Sequence, residues 1–261
     1  MKKFFYTIMY AVIVLASCEQ VELKPYEGDP YVGFYDPRGF YMKQLQSAET
    51  NFVYMDESIV RDTVWFKIVA KASIPPADYH VKIRAYKNEI SYLTNLKEAE
   101  PGIHYVPFDS KEMEDFLILK KGHLYDSIPV ILLRDPSLKE EGRRLTLRIT
   151  DSEDLKASDR LADDDQSHTF VVVYMADCFL EPANWKYSSL GLGKYGPVKH
   201  QFMVEQSGER WDNNFISTLD RYDKTYYAFK FRNALVLENQ KRAAQGLPKL
   251  KEKDGTDVEF S

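Results

Sequence analysis

The 261-residue chain is poor in several things, and each scarcity removes a class of protein. Its two cysteines, Cys18 and Cys178, cannot supply a disulfide framework. Its five histidines, His80, His104, His123, His168 and His200, do not fall at metal-ligand spacing, and no His-Glu-x-x-His occurs. No serine sits in a nucleophile elbow. Positive charge is not in excess: 35 basic against 40 acidic residues give −5, which argues against nucleic acid and against a basic membrane-binding face. The one long uncharged apolar run, Phe4 to Ala16, is shorter than the roughly 20 residues a membrane-spanning helix needs. Enzyme activity is not expected, and no cofactor is.

What is present begins with Lys2, Lys3 and that apolar run, the layout of an export signal. Leu15-Ala16-Ser17-Cys18 follows and resembles a bacterial lipobox. The resemblance implies a signal peptide over residues 1–17 and a diacylglycerol thioether on Cys18, the first mature residue. Two or more acyl chains hold stably, at about 0.8 kcal/mol per buried CH₂. Residues 18–29 lack periodicity and read as a flexible tether. Cys178, in the apolar setting Met175-Ala-Asp-Cys-Phe-Leu180, reads as a buried inert thiol.

From Tyr31 the pattern alternates. Val64, Phe66, Ile68 and Ala70 share one side, with Trp65, Lys67, Val69 and Lys71 opposite. Val81, Ile83 and Ala85 repeat the pattern, as do Leu145, Leu147 and Ile149, and a valine-rich strand closes the region near Met175. Successive strand side chains point to opposite faces, so these runs predict half-buried antiparallel strands. Short strands between turn residues predict a β-sandwich over residues 30–176. The stretch from Pro101-Gly-Ile-His-Tyr-Val-Pro to Arg143-Arg-Leu-Thr-Leu-Arg-Ile-Thr150 resembles the later strands of a Calx-beta-type immunoglobulin-like sandwich. His104 stands where that family has Asp, which speaks against transferring its calcium chemistry.

Residues 177–261 predict a helix-rich module. Val198 to Gln206 reads as a helix stopped by Gly208, Trp211 to Leu219 as a short helix or turn, and Tyr222 to Gln245 as the longest helix, ended by Gly246 and Pro248. Tyr226, Phe229 and Leu237 line one face of it and Tyr227, Phe231 and Leu235 a neighbouring one, so it is expected to be packed on both sides. Val258-Glu-Phe260 reads as a short strand. The fold class is therefore mainly β with α: an N-terminal immunoglobulin-like antiparallel sandwich plus a C-terminal helix-rich module.

Several clusters are candidates for chemistry. Gly191-x-Gly193-x-x-Gly196 has dinucleotide-fingerprint spacing, but Trp185 to Ser189 is no strand and Pro197 follows, so a loop leading into a helix is expected. Carboxylates between Asp151 and Asp165, with Asp163, Asp164 and Asp165 as the candidate calcium ligands, are expected to be a solvated loop. Of the aromatic residues, Trp185, Tyr195 and Trp211 around the glycine loop are the candidate ligand-binding set, with Trp65 beside them as a further tryptophan.

The lipobox, Tyr31-Val-Gly-Phe-Tyr-Asp36, Pro101 to Phe108, Gly193 to Glu205 and the closing Asp254-Gly with Val258-Glu-Phe260 together resemble a family of Bacteroidetes lipoproteins with a domain of unknown function. That resemblance implies an accessory lipoprotein of a Sus-type outer-membrane nutrient importer. The expected partners are outer-membrane lipid through Cys18, importer and binding lipoproteins of the same locus, and a glycan or peptide ligand. The expected place is the outer membrane, with the cell surface favoured by Glu19 and Glu22 close behind the lipidated cysteine. A hydrolase of the same pathway and a structural or adhesive surface protein are the alternatives.

Overall fold

A computed structural model describes residues 28–35, 46–71, 73–87, 96–158, 169–185 and 191–260. Cys18 with its lipobox, most of the tether, His168, and Asp163, Asp164 and Asp165 lie outside the described residues. In chain order the strands are β1 (Tyr31–Phe34), β2 (Gln46–Asn51), β3 (Arg61–Lys71), β4 (Tyr79–His80), β5 (Lys82–Ala85), β6 (Lys97–Glu98), β7 (Ile118–Leu119), β8 (Tyr125–Leu133), β9 (Arg143–Thr150), β10 (Lys156–Ala157) and β11 (Phe170–Ala176). Three helices follow: α1 (Pro197–Ser207), α2 (Asn213–Thr218) and α3 (Arg221–Ala244). The architecture is mainly β with a C-terminal helix cluster.

One sheet has the order β10-β1-β3-β8, a second β2-β11-β9-β5 with β6 also on β9, and β4 and β7 form a two-stranded third. Alternation does the work expected of it. Phe66 and Ile68 of β3 are buried, while Trp65 and Lys67 face water. They meet Leu145, Leu147 and Val173 of the second sheet in one core. Pro129 sits inside β8, where proline is tolerated only if its missing N–H faces away from the ladder. Val106 N–H donates to Ile131 O on the outer side of β8, so odd-numbered residues of this strand point outward and Pro129 removes no bond to β3.

The sheets are mixed, which corrects the purely antiparallel expectation. β2 runs parallel to β11, β1 to β10 and β6 to β9. Each parallel pair joins segments more than 40 residues apart, ample for the crossover of about a dozen residues or more that parallel pairing needs.

The helical module has its own core. Trp211 and Phe231 are fully buried, and the Trp211 ring meets Phe215, Tyr227 and Phe231 edge-on at centroid distances of 5.1, 4.9 and 5.1 Å. Trp211 holds a left-handed backbone, φ 54°, costly for a residue with a Cβ. Ring burial and an Nε1–H bond to Ser207 Oγ at 2.8 Å hold it there. The helix ends follow the sequence signals. Gly208 (φ 76°) stops α1, and Asp220 with Asp223 forms a capping box on α3.

Two expectations fail in this module. Val258 to Phe260 is not a strand, although both apolar side chains are buried in the module core. And α3 is packed on one side only: Ala228, Phe231 and Leu235 are buried, whereas Tyr226, Phe229 and Leu237 are 60–66% exposed.

Candidate functional site

The structure brings Trp185 and Tyr195 together, with ring centroids 5.2 Å apart, and sets Trp211 in the middle of the helical core. Trp185 is buried, with Nε1–H donating to Gly193 O at 3.0 Å, and Trp211 is 0% exposed. Neither offers an open ring face and Tyr195 is half-buried, so these three candidates form no exposed aromatic platform among the described residues. Of the three tryptophans only Trp65, on the outer face of β3, shows its ring to water.

The glycine loop is also occupied by protein. Gly191 and Gly193 have φ 64° and 72°, so the loop needs glycine for its turns. It delivers the chain to Gly196, the N-cap of α1. A helix N-terminus invites an anion, and here the anion is internal: the Glu252 carboxylate accepts from the N–H groups of Val198 and Lys199, both at 3.0 Å. A Cβ at position 196 would overlap that carboxylate, which accounts for the third glycine without a phosphate. The buried Lys199 ammonium donates to Leu192 O at 2.8 Å and ties the loop to the helix.

Where the sandwich meets the helices, Tyr54, Phe179, Tyr195 and His200 form a packed group. His200 Nε2 lies 3.0 Å from both the Tyr54 hydroxyl and the Arg210 carbonyl oxygen, and the Tyr195 hydroxyl 3.3 Å from Nδ1. Burial pushes the His200 imidazole below its ordinary value of 6.5, against the opposing pull of the Arg210 carbonyl, and pushes both tyrosine hydroxyls up. His104 behaves alike for a clearer reason: its Nδ1 accepts the Glu100 N–H at 3.0 Å, so it must stay unprotonated, and burial lowers its pKa. This ring holds a turn.

Both histidines take up a proton more readily when unfolded. Stability is therefore expected to rise with pH and to be lost as pH falls through 6.5 towards the depressed folded values. Carboxylates with lowered values, such as Asp151, act in a separate window below 3.8. Thermal melts across this range should show the acid-side loss shrink in His200→Gln. An unchanged pH profile in that variant would remove His200 from the effect.

A cleft of about 940 Å³ opens beside β5 of the sandwich. One wall is β5. The other is the segment holding Pro101, Tyr105 and Pro107, which is fastened to β8 by the Tyr105–Leu132 bridge. Tyr86 N–H donates to Thr146 O of β9, whereas Val81 N–H donates away from β9, to Leu117 O. Hydrogen-bonding direction alternates along a strand, so Ile83 and Ala85 turn their main-chain N–H and C=O groups away from β9 and towards the cleft they line. Among the described residues, no other strand pairs with this edge.

Charge is polarised around the cleft. Lys82 and Arg84 project on the β5 side, and Asp109, Glu153 and Asp154 stand at its margins. Asp154 is already engaged, accepting from His80 N at 2.8 Å and lying 3.1 Å from His80 Nδ1. Tyr105 and Phe108, which line the cleft, are buried and expose little ring surface to it. Among the described residues no three His, Cys, Asp or Glu side chains converge on a metal position. Cys178 is half-buried rather than the fully buried thiol expected, and burial still raises its pKa. Sequence reading missed this cleft because its walls come from segments tens of residues apart. The one local signal was the clean alternation of residues 81–85 in so short a strand.

A family model described as "Domain of unknown function (DUF4843)" matches residues 28–209. No curated protein matches the chain. Among solved structures, a protein of unknown function from Bacteroides ovatus is similar at 10% identity and TM-score 0.37, covering 55% of this chain and 43% of that one. A Bacteroides ovatus GH5 xyloglucanase in complex with a XXXG heptasaccharide is similar at 9% identity and TM-score 0.25, covering 67% of this chain and 25% of that one. The chain thus spans less than half the length of either.

Proposed function

The chain belongs to the DUF4843 family, and from that premise we propose a non-catalytic, lipid-anchored accessory protein of the outer membrane that captures extended peptide for a Sus-type importer. The observation that carries the reading is the free edge of β5 along the cleft. An edge strand with main-chain groups open to a groove recruits a polypeptide by adding it as a further strand. Peptide fits better than glycan, since sugar rings stack on exposed aromatic faces and the cleft exposes little ring surface. The basic β5 side and acidic margin would orient the incoming chain. The lipobox supports the anchor, and Cys18 is its only thioether candidate. The same edge supports a second reading, a surface protein that adds a strand from a neighbouring protein.

Two variants test this. Ala85→Pro deletes an N–H that faces the cleft and makes no bond to β9, so the fold should keep its melting temperature. Calorimetry with a mixture of unstructured hexapeptides should show affinity reduced about tenfold, the loss of one or two main-chain bonds. Unchanged peptide binding in Ala85→Pro, or binding of oligosaccharides in place of peptides, would sink the assignment of the cleft. Separately, Cys18→Ala should abolish incorporation of a fatty-acid probe and leave the precursor unprocessed. Label retained in that variant would remove the anchor.

A further inference from the structure

Helix α3 has a second apolar face. Tyr222, Tyr226, Phe229, Val236 and Leu237 are 83, 60, 64, 57 and 66% exposed. At about 100° per residue these five fall on one stripe, directly opposite Ala228, Phe231 and Leu235, which enter the module core. Single exposed apolar residues are ordinary, but five on one face over about four turns, interrupted there by Asn233, call for something to cover them.

Charge indicates what covers it. Six residues of α3 are basic and two acidic, in a chain whose net charge is −5. The overall charge that argued against a basic membrane-binding face therefore hides a basic helix. On the helical wheel Lys230 and Lys241 flank the stripe on one side, and Arg221 and Arg232 on the other, each about 70–110° from its centre. Lys230 Nζ lies 6.0 Å from the Tyr226 and Tyr227 ring centroids, its apolar stem alongside the stripe.

We propose that this outer face of α3 lies in the interface of an anionic lipid bilayer. The stripe enters the boundary between headgroups and acyl chains, and the flanking lysines and arginines reach back to anionic headgroups. Tyrosine suits that depth, with an apolar ring and a hydroxyl for the wet side. The helix lies on the membrane and does not cross it, since no described helix is long and apolar enough to span. A second copy of the chain fits less well. Packing stripe on stripe would set both rows of cations against their counterparts. The inference stands on the helix and not on the lipid at Cys18, although the two would hold the protein down at separate points.

The test uses the full chain carrying Leu237→Trp, read as a difference from the parent, mixed with vesicles of brominated phosphatidylcholine with or without phosphatidylglycerol. The added indole should shift to the blue and be quenched in phosphatidylglycerol vesicles, several-fold less in pure phosphatidylcholine, and less again at high salt. Adding Phe229→Glu, at a solvent-facing position that leaves the core intact, should abolish the quenching while the melting temperature holds. An indole that stays unquenched, or quenching indifferent to Phe229→Glu, overturns the proposal. So does a parent chain that sediments as a dimer, becomes monomeric with Phe229→Glu and ignores lipid, which would assign the stripe to a second copy. Failure here leaves fatty-acid labelling at Cys18 and peptide binding at the cleft unaffected, so the three readings fail separately.

Discussion

Phe231→Ala is expected to destabilise the helical module by about 3–5 kcal/mol, whereas Phe229→Ala, two residues earlier, should change stability by less than about 0.5 kcal/mol. The residues share a type, a helix and nearly a position; only the face differs. Phe231 is 0% exposed, with its ring 5.1 Å from Trp211, 5.8 Å from Tyr227 and 5.5 Å from Phe260. Removing it leaves a cavity among rigid aromatic rings that cannot collapse, so both the transfer and the cavity contributions are lost. Phe229 is 64% exposed and leaves no void. Urea unfolding of both variants reads the difference directly. Equal losses would mean that α3 presents a different face to the core.

That pair also marks where the sequence stops speaking. The three helices lie within a residue or two of the bounds read from the sequence, because Gly208 and Gly246 are local stereochemical switches that act whatever packs nearby. The burial of Phe66, Ile68, Leu145 and Leu147 was legible because a two-residue period needs only the strand itself. The buried face of α3 was not legible. Tyr226, Phe229 and Leu237 are as apolar as Ala228, Phe231 and Leu235, so periodicity finds two faces and cannot rank them. Nor was β2, whose Gln46-Ser-Ala-Glu-Thr-Asn51 carries no apolar alternation and is held by parallel pairing with β11, more than 100 residues on. The cleft has the same origin, since β5, the Pro101–Pro107 segment and the Ser152–Asp154 turn meet only in space. Trp185 and Trp211 show the converse. Their chemistry suits a binding surface as well as a core, and only the folded structure shows that the core took them.

The second large effect is expected at the joint between the two cores. Arg134 grips Asp177 with two parallel bonds, Nε to Oδ2 at 2.9 Å and Nη2 to Oδ1 at 2.8 Å, and its Nη1 donates to the Asp56 and Ile59 carbonyls. Its side chain is 11% exposed and that of Asp177 2%. Asp177 directly follows β11, where the chain leaves the sandwich for the helices, and its own N–H donates to Leu138 O. Hydrogen bonding to the carboxylate holds the guanidinium above its ordinary value. Arg134→Met should therefore cost about 3 kcal/mol, mostly because a carboxylate is left buried without its partner. The double variant Arg134→Met with Asp177→Leu should recover most of that loss, since two apolar side chains in place of the pair leave no stranded charge. A double-mutant cycle measured by urea unfolding separates the two contributions. If Arg134→Met costs less than about 1 kcal/mol, or the double variant is no better than the single, the pair is a solvent-screened contact and the exit from the sandwich is set by packing of Phe179 and Leu180 instead.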